Sequence, residues 1–223
     1  ALGGGLPLGT LTLIEGTPAA GKSVLCQHMA YETLLTGRDV AYFASDSTAE
    51  DLLVRMSNIG MDVSRSISGK RLLVAQIREP AVDDDSDWAD SPGSMMVSLA
   101  REMGGLPPQY QLVVVDGVTN LASYAEDRDI LQFFSSCKRL TDGGRAVVVV
   151  TQTHAIDERM LARLRNLCDS YLKLHIERVG AKRATTLEVV KVNSEDLERA
   201  NTISFEVLPE VGMRSLSFAK FKA

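Results

Sequence analysis

One motif near the start of the chain constrains the fold more than any other feature. Residues 14–25 read IEGTPAAGKSVL, in which Gly16, Gly21, Lys22 and Ser23 match the pattern G-x-x-x-x-G-K-S. An apolar run precedes the motif and an amphipathic stretch, 24–35, follows it, which is the strand–loop–helix context of a phosphate-binding loop. The motif therefore predicts a buried strand, a glycine loop and a helix, with a nucleotide bound at the helix N-terminus.

The predicted loop offers both backbone and side-chain groups to a nucleotide. Its N–H groups surround the phosphate oxygens, and its glycines let the main chain approach them closely. We expect Lys22 to reach the β- and γ-phosphates and the hydroxyl of Ser23 to ligate Mg²⁺. The residues predicted to contact the nucleotide are Gly16, Thr17, Pro18, Ala19, Ala20, Gly21, Lys22, Ser23 and Val24.

The rest of the chain alternates apolar, β-branched runs with helical periodicity, the pattern of a parallel sheet covered on both faces. Strands are predicted at 11–15, 40–44, 72–76, 112–116 and 146–151, and helices at 22–36, 49–59, 94–103, 129–140 and 156–166. After Asp169, alternating segments at 171–177, 185–192, 202–207 and 213–218 predict an antiparallel extension of the same sheet. Because 45% of the 223 residues are hydrophobic, we expect one α/β domain over 1–223 with a three-layer, mostly parallel core.

Two local signals place helix ends within this pattern. The sequence STAE at 47–50 predicts a capping box, because a short polar side chain is followed three residues later by Glu. The sequence LTDGG at 140–144 predicts the end of the helix before the fifth strand.

Three further polar residues lie at the carboxyl end of a predicted strand or just past it, at the edge where ligands bind in open α/β sheets. Asp116 ends the apolar run QLVVVDG and is predicted to hold the Mg²⁺ shell, although such an acid could also cap a turn. Asp46, after the second strand, is the candidate carboxylate for orienting or deprotonating water, with a turn-forming role as the alternative. Gln152, just past the fifth strand, is the candidate γ-phosphate sensor.

Composition excludes several other classes of protein. The net charge of −5 argues against a nucleic-acid partner, because non-specific affinity for nucleic acid rests on Lys and Arg. Cys26, Cys137 and Cys168 lie in apolar contexts, which is typical of buried thiols in a reducing cytoplasm. No apolar run approaches the roughly 18–20 residues that span a bilayer, so we expect a soluble cytoplasmic protein. The chain begins without Met, on ALGGG, which leaves open an upstream piece of the native protein.

A stretch of low complexity, DDDSDWADSPGS at 83–94, has two interpretations. Its aspartates and Pro-Gly turn favour a solvated acidic loop. The alternative is a partner-facing lid, because Trp88 is an unusual residue to expose to water among aspartates.

Beyond single motifs, long segments resemble a known family. The opening LGGGLPLGTLTLIEGTPAAGKSVL resembles the RecA-type KaiC family, in which a glycine-rich turn precedes the loop strand. The segments LCDSYLKLHIERVGAKRATTLEVVKVN and NTISFEVLPEVGMRSLSFAKFKA are similar to the FlaH branch of that family, the KaiC-like ATPases of the archaellum motor. The resemblance implies a RecA-like fold, ATP as the nucleotide, residues 16–23 as the Walker A loop and Asp116 as the Walker B acid.

The same resemblance implies an assembly and its partners. It predicts that the protein forms a hexameric ring at the inner face of the cell membrane. The ring would lie beneath a membrane platform protein and beside a separate secretion ATPase. In ring-forming relatives a Lys-x-Arg pair reaches the neighbour's γ-phosphate, and here the corresponding residues are Lys191, Val192 and Asn193. The lysine is present, and the arginine is not.

Two departures from the family pattern predict slow hydrolysis. Asp46 stands where hydrolysing relatives carry Glu, and a catalytic group misplaced by about 1 Å can cost on the order of 10²-fold in rate. A missing arginine finger can cost 10³–10⁵ in turnover. We therefore expect a protein whose nucleotide occupancy matters more than its turnover.

Two other functions remain as alternatives at this stage. A DNA-handling RecA relative of the RadB kind would share the loop, but the region after the fourth strand, GVTNLASYAEDRD, is acidic rather than basic. A clock-like autokinase would ordinarily need a second tandem copy of the domain.

Overall fold

The computed structural model describes residues 6–77, 91–179, 182–192 and 202–216, and its strands form one mixed sheet. The strands are β1 Leu11–Gly16, β2 Asp39–Ala44, β3 Leu72–Gln76, β4 Tyr110–Asp116, β5 Ala146–Gln152, β6 Ser170–Val179, β7 Lys182–Val192, β8 Thr202–Leu208 and β9 Gly212–Leu216. Across the nine-stranded sheet their order is β3-β2-β4-β5-β1-β6-β7-β8-β9. The first strand of the chain therefore lies in the middle of the sheet.

Seven helices connect these strands within the described residues. They are α1 Lys22–Leu35, α2 Ala49–Asn58, α3 Ser64–Ser68, α4 Pro92–Gly104, α5 Thr119–Tyr124, α6 Asp127–Asp142 and α7 Glu158–Leu167. All five predicted helices are confirmed with ends that shift by at most two residues, whereas α3 and α5 were not predicted because one or two turns are too short to show a period. No helix in the described part of the chain is both long and apolar enough to cross a membrane.

The sheet has a hydrophobic core on each face because successive residues of a strand point to opposite sides. On one face Leu11 and Leu13 pack with residues of α4, α5, α6 and α7. On the other face Ile14 packs with residues of α1 and α2. All six residues of β1 are buried, so the strand reads as a continuous apolar run with only a few polar positions.

The strand that leads into the predicted phosphate loop, β1, is hydrogen-bonded along both of its edges. The strand pairs in parallel with β5 on one side and β6 on the other, and Gly16 is in register with both Gln152 and Leu174. Two further backbone hydrogen bonds hold the strand end: the N–H of Thr17 donates to the carbonyl of Leu174, and the N–H of Thr153 donates to the carbonyl of Gly16. The loop therefore leaves a strand that is fixed on both edges.

The four C-terminal strands differ in one respect from the sequence prediction. Only three of them form an antiparallel extension, since β6 pairs in parallel with β1 before β7 turns back against it. The reason is that α7 crosses over between β5 and β6, as a parallel connection requires. The mostly parallel sheet with antiparallel C-terminal strands is confirmed.

The capping box of α2 lies one residue later than the sequence indicated. Thr48, rather than Ser47, is the N-cap: its hydroxyl accepts a hydrogen bond from the N–H of Asp51 at 3.2 Å, and its own N–H donates to the Asp51 carboxylate at 3.3 Å. The prediction of STAE as the box was wrong because TAED offers the same reciprocal pair one position on. By contrast, α6 ends at Asp142 before Gly143, as LTDGG predicted.

The buried cysteines are confirmed, since Cys26, Cys137 and Cys168 are all buried free thiols. Burial raises the pKa of the Cys168 thiol to about 12 and also raises the pKa of Cys26 and Cys137. Most of the acidic stretch, residues 83–90, lies outside the described residues, and both interpretations of it stay predictions.

A test of the corrected helix cap compares neighbouring hydroxyls. We expect Thr48→Ala to lower the unfolding midpoint of the nucleotide-free protein by about 2–4 °C, because losing an N-cap costs roughly 1 kcal/mol. Ser47→Ala is the matched control and should leave the midpoint nearly unchanged in the same calorimetric scan. A larger shift for Ser47→Ala than for Thr48→Ala would restore the original assignment.

Candidate functional site

The loop between β1 and α1 has the backbone that a phosphate-binding loop requires. A Cβ atom added at Gly16 would lie 2.5 Å from the carbonyl oxygen of Leu174, so only glycine fits there. Gly21 has a φ of 79° and Ala19 a φ of 61°, both in the left-handed region. Turns of this kind direct successive N–H groups into a concave anion site. No side chain among the described residues caps α1, so no side-chain oxygen occupies the first N–H groups of the helix.

Lys22 folds back over the loop that precedes it. Its Nζ donates hydrogen bonds to the carbonyls of Gly16 and Thr17, each at 2.9 Å. Burial lowers the pKa of Lys22, while the nearby carboxylates of Asp116 and Asp46 act in the opposite direction. The amino group is therefore positioned at the loop's mouth and bonded to oxygens that a phosphate can replace.

Asp116 lies next to the first turn of α1. The hydroxyl of Ser23 donates to its Oδ1 at 3.1 Å, and the phenol of Tyr42 donates to its Oδ2 at 2.6 Å. Burial raises the pKa of Asp116, and the hydrogen bonds from Tyr42 and Ser23 oppose that rise because they stabilise the charged form. A neighbouring strand, β2, and the helix α1 thus each donate one hydrogen bond to this carboxylate of β4.

These groups line one open cavity of about 450 Å³ at the carboxyl ends of the parallel strands. Asp46 lies exposed at its rim, where the hydroxyl of Ser45 donates to the Asp46 carboxylate at 2.9 Å. Gln152 also lines the cavity, and its N–H donates to the hydroxyl of Thr119 at 3.0 Å. The full lining is Pro18, Ala19, Gly21, Lys22, Ser23, Val24, Ser45, Asp46, Asp116, Gly117, Thr119, Asn120, Val150 and Gln152.

Among the predicted loop residues, Gly16, Thr17 and Ala20 belong to the loop but do not line the cavity. Lys191, by contrast, lies on a different element, β7, away from the loop. It is in register with Tyr171 on β6, whereas the residue of β6 in register with Gly16 is Leu174. Its Nζ donates to the carbonyls of Arg165 at 2.9 Å and Cys168 at 2.6 Å, at the C-terminal end of α7. An action on a neighbour's phosphate therefore stays a prediction that requires Lys191 to leave these carbonyls, and Asn193 lies outside the described residues.

Several residues of the site were not anticipated. Tyr42 carries the only hydroxyl among the buried residues of β2, and the residue is 1% exposed. A buried tyrosine hydroxyl usually has a partner, so this residue could have been noticed from the sequence. Thr119 and Asn120 lie in the short helix α5, whose six residues are too few to show a periodic pattern.

The arrangement fits a nucleotide with its cation. The loop N–H groups and Lys22 are suited to a phosphate chain, and the Ser23 hydroxyl with the Asp116 carboxylate offers the oxygen ligands that Mg²⁺ prefers. A cation held there would neutralise negative charge on the phosphates. Asp46 lines the same cavity, so its carboxylate lies where a water molecule beside a bound nucleotide would be placed.

The fold and this cavity define the class of protein: a phosphate-loop nucleotide-binding protein built on a mostly parallel sheet. The family model described as "ATPase: KaiC" matches residues 1–213. The chain therefore belongs to the KaiC ATPase family.

Individual relatives agree with that assignment. The archaeal flagellar ATP-binding protein FlaH of Sulfolobus acidocaldarius is 26% identical over 99% of this chain and 94% of its own length. The crystal structure of the flagellar accessory protein FlaH from Methanocaldococcus jannaschii superposes with a TM-score of 0.83 at 19% identity, covering 97% of this chain and 93% of that one. The crystal structure of a KaiC-like protein from Pyrococcus horikoshii superposes with a TM-score of 0.73 at 14% identity. The match covers 96% of this chain and 92% of that one. The RecA-like fold expected from the sequence is confirmed by these structures.

The assigned roles of Lys22 and Asp116 can be separated by their dependence on Mg²⁺. A nucleotide at 100 times its dissociation constant should stabilise the wild type by about 2.7 kcal/mol. We expect Lys22→Ala to lose that stabilisation with or without Mg²⁺, because the phosphates lose the positively charged amino group of Lys22. Asp116→Asn should lose mainly the Mg²⁺-dependent part, because the loop survives.

Thermal scans with ATP, in the presence of Mg²⁺ or of a chelator, measure both effects. A wild-type thermal shift in Lys22→Ala would refute the loop assignment. Equal losses with and without Mg²⁺ in Asp116→Asn would refute the metal role of Asp116.

Proposed function

We propose that this single-domain protein is the ATP-binding ring subunit of an archaellum-type motor, a slow ATPase that acts through nucleotide occupancy. ATP is the nucleotide that its family membership favours, with Mg²⁺ held by Ser23 and Asp116. The proposal separates two parts of the site: the residues that bind nucleotide and the residues that hydrolyse it.

One observation carries this separation. The binding residues are interlocked, since Ser23 and Tyr42 both donate to Asp116 and Lys22 is bonded to its own loop. The candidate water-activating group, Asp46, is an exposed short acid that accepts a hydrogen bond from the neighbouring Ser45 hydroxyl. A carboxylate that is neither buried nor held by a distant element is poorly preorganised for proton transfer. We therefore expect this site to bind ATP tightly and to hydrolyse it slowly.

The second catalytic contribution would come from a neighbouring subunit. Lys191 lies on β7, several residues along the strand from the level of the phosphate loop, so it does not serve the cavity of its own chain. A hexameric ring would bring Lys191 of one subunit towards the nucleotide of the next. Since Lys191 donates to the carbonyls of Arg165 and Cys168 at the end of α7, assembly would have to exchange those bonds for phosphate oxygens.

The archaellum assignment is supported by relatives whose names refer to archaeal flagella and which match nearly the whole chain. In such a motor the ring would lie in the cytoplasm, peripheral to the membrane. It would contact a membrane platform protein and a separate secretion ATPase, and hydrolysis by that second ATPase would supply the mechanical work. A subunit that reports occupancy needs no fast turnover of its own.

The hydrolysis argument predicts a gain of activity. Wild-type turnover should lie well below about 10 s⁻¹, a common enzyme median. Asp46→Glu should raise it, because the longer side chain brings the carboxylate closer to the γ-phosphate, while Mg-ATP affinity stays nearly constant. Phosphate release under saturating Mg-ATP measures the rate.

Asp127→Glu is the matched control, since it lengthens an exposed acid in the first turn of α6, outside the cavity. Its turnover should equal that of the wild type. Turnover at ordinary enzyme rates, together with an Asp46→Ala variant that keeps that rate, would refute the slow-ATPase part of the proposal.

A further inference from the structure

Glu15 is a buried acid that the proposed function does not use. It is the residue before Gly16 in β1 and is 3% exposed. Because β1 alternates, Glu15 shares a face with Leu13 and points to the side of the sheet that α6 and α7 cover. Lys22 begins α1, which packs on the other side of the sheet, and Glu15 does not line the cavity, so Glu15 adjoins the base of the phosphate loop without entering the nucleotide site.

Two residues on the same face of the sheet as Glu15 contact its carboxylate. The phenol of Tyr171, on β6, donates a hydrogen bond to Glu15 Oε2. The guanidinium of Arg165, on α7, has its Nη2 3.9 Å from the same oxygen. Arg165 also donates to the Tyr171 hydroxyl at 3.2 Å and lies 4.7 Å over the centre of its ring. The three side chains form one connected polar cluster, named here the Glu15 cluster.

The Glu15 cluster is a poor arrangement for stability alone. Burying a carboxylate costs free energy that Leu13, two residues earlier on the same face, does not incur. The Nε of Arg165 is buried with no hydrogen-bond partner in the described residues, and so is the hydroxyl of Thr151, which is in register with Glu15 on β5. Unpaired buried polar atoms lower stability. An apolar residue at position 15 would serve the core better, which suggests another role for the acid.

The connections of the cluster point to that role. Glu15 is bonded through the chain to Gly16, whose carbonyl accepts from Lys22. Arg165 lies on α7, the helix that follows Gln152 and the loop behind it. The cluster thus joins the two segments that approach the cavity from either side, the phosphate loop and the chain after β5.

We propose that Glu15 is a positioning residue for the nucleotide site: through Tyr171 and Arg165 it fixes the base of the phosphate loop against α7. This inference rests on the proposed nucleotide-binding function and deepens it. Its consequence is that the cluster governs affinity for Mg-ATP although none of its three side chains lines the cavity.

A pair of substitutions separates positioning from stability. Glu15→Leu leaves the Tyr171 hydroxyl buried without its acceptor, and Tyr171→Phe leaves the carboxylate without that donor, so each should lower the unfolding midpoint. The double variant removes the hydrogen-bonded pair and should recover part of the midpoint, since Arg165 loses both cluster partners but keeps Glu158 at 3.5 Å. Mg-ATP affinity should not recover: we expect all three variants to bind about tenfold more weakly than the wild type. Glu15→Gln, which keeps an acceptor for Tyr171, should lose less affinity.

Two matched controls lie at a distance from the loop. Asp169 accepts from the N–H of Leu11 at 2.8 Å and from Lys138 at 2.5 Å, so it holds the opposite end of β1. Tyr110 donates to the carbonyl of Lys70 at 3.2 Å and supplies a second phenol that can be removed. Asp169→Asn and Tyr110→Phe should lower the unfolding midpoint without changing the Mg-ATP dissociation constant.

The full chain with fluorescent Mg-ATP as the probe, alongside thermal unfolding without nucleotide, gives both readouts. Unchanged Mg-ATP affinity in the single variants, or affinity that returns together with stability in the double variant, would overturn the inference. If the wild type itself binds no Mg-ATP, the proposed function fails as well. If the wild type binds, Lys22→Ala does not and Glu15→Leu binds normally, only the role of Glu15 is refuted.

Discussion

The site depends first on the hydrogen bonds that converge on Asp116. Ser23, in the first turn of α1, and Tyr42, on β2, donate to different oxygens of this carboxylate. They join three elements that are far apart in sequence at the point where the sheet's parallel strands end. Because a buried carboxylate without partners is costly, these bonds favour the charged form of the acid and oppose the rise in its pKa that burial causes.

The central position of β1 supports that arrangement mechanically. A strand paired on both edges cannot shift without disturbing β5 and β6, so the loop that leaves it at Gly16 has a fixed origin. The cavity therefore has one side, formed by the loop and Asp116, that is held by hydrogen bonds between elements, and an exposed rim that carries Asp46. This contrast between hydrogen-bonded binding groups and an exposed acid is the physical basis for expecting occupancy without fast turnover.

Sequence alone was sufficient where chemistry is local. The loop, its flanking strand and helix, and Asp116 at the end of β4 follow from contiguous patterns, and the structure brings Lys22, Ser23, Asp116, Asp46 and Gln152 to one cavity. It was insufficient where partners are distant in the chain. The bond from Tyr42 to Asp116 spans 74 positions and the bond from Tyr171 to Glu15 spans 156, and no single-sequence pattern links such pairs. The cap of α2 failed for another reason, since two overlapping motifs differed by one residue and only geometry could choose between Ser47 and Thr48.

The claim that occupancy matters more than turnover is tested most directly by the mass of the assembly under different nucleotide conditions. Mass photometry of the wild type and of Asp46→Ala, without nucleotide and with Mg-ADP or Mg-ATP, separates binding from hydrolysis. The account predicts a ring-sized species with Mg-ATP in both proteins and loss of that species in Lys22→Ala. A mass that never responds to nucleotide, or a ring that forms only in the hydrolysing wild type, would contradict it.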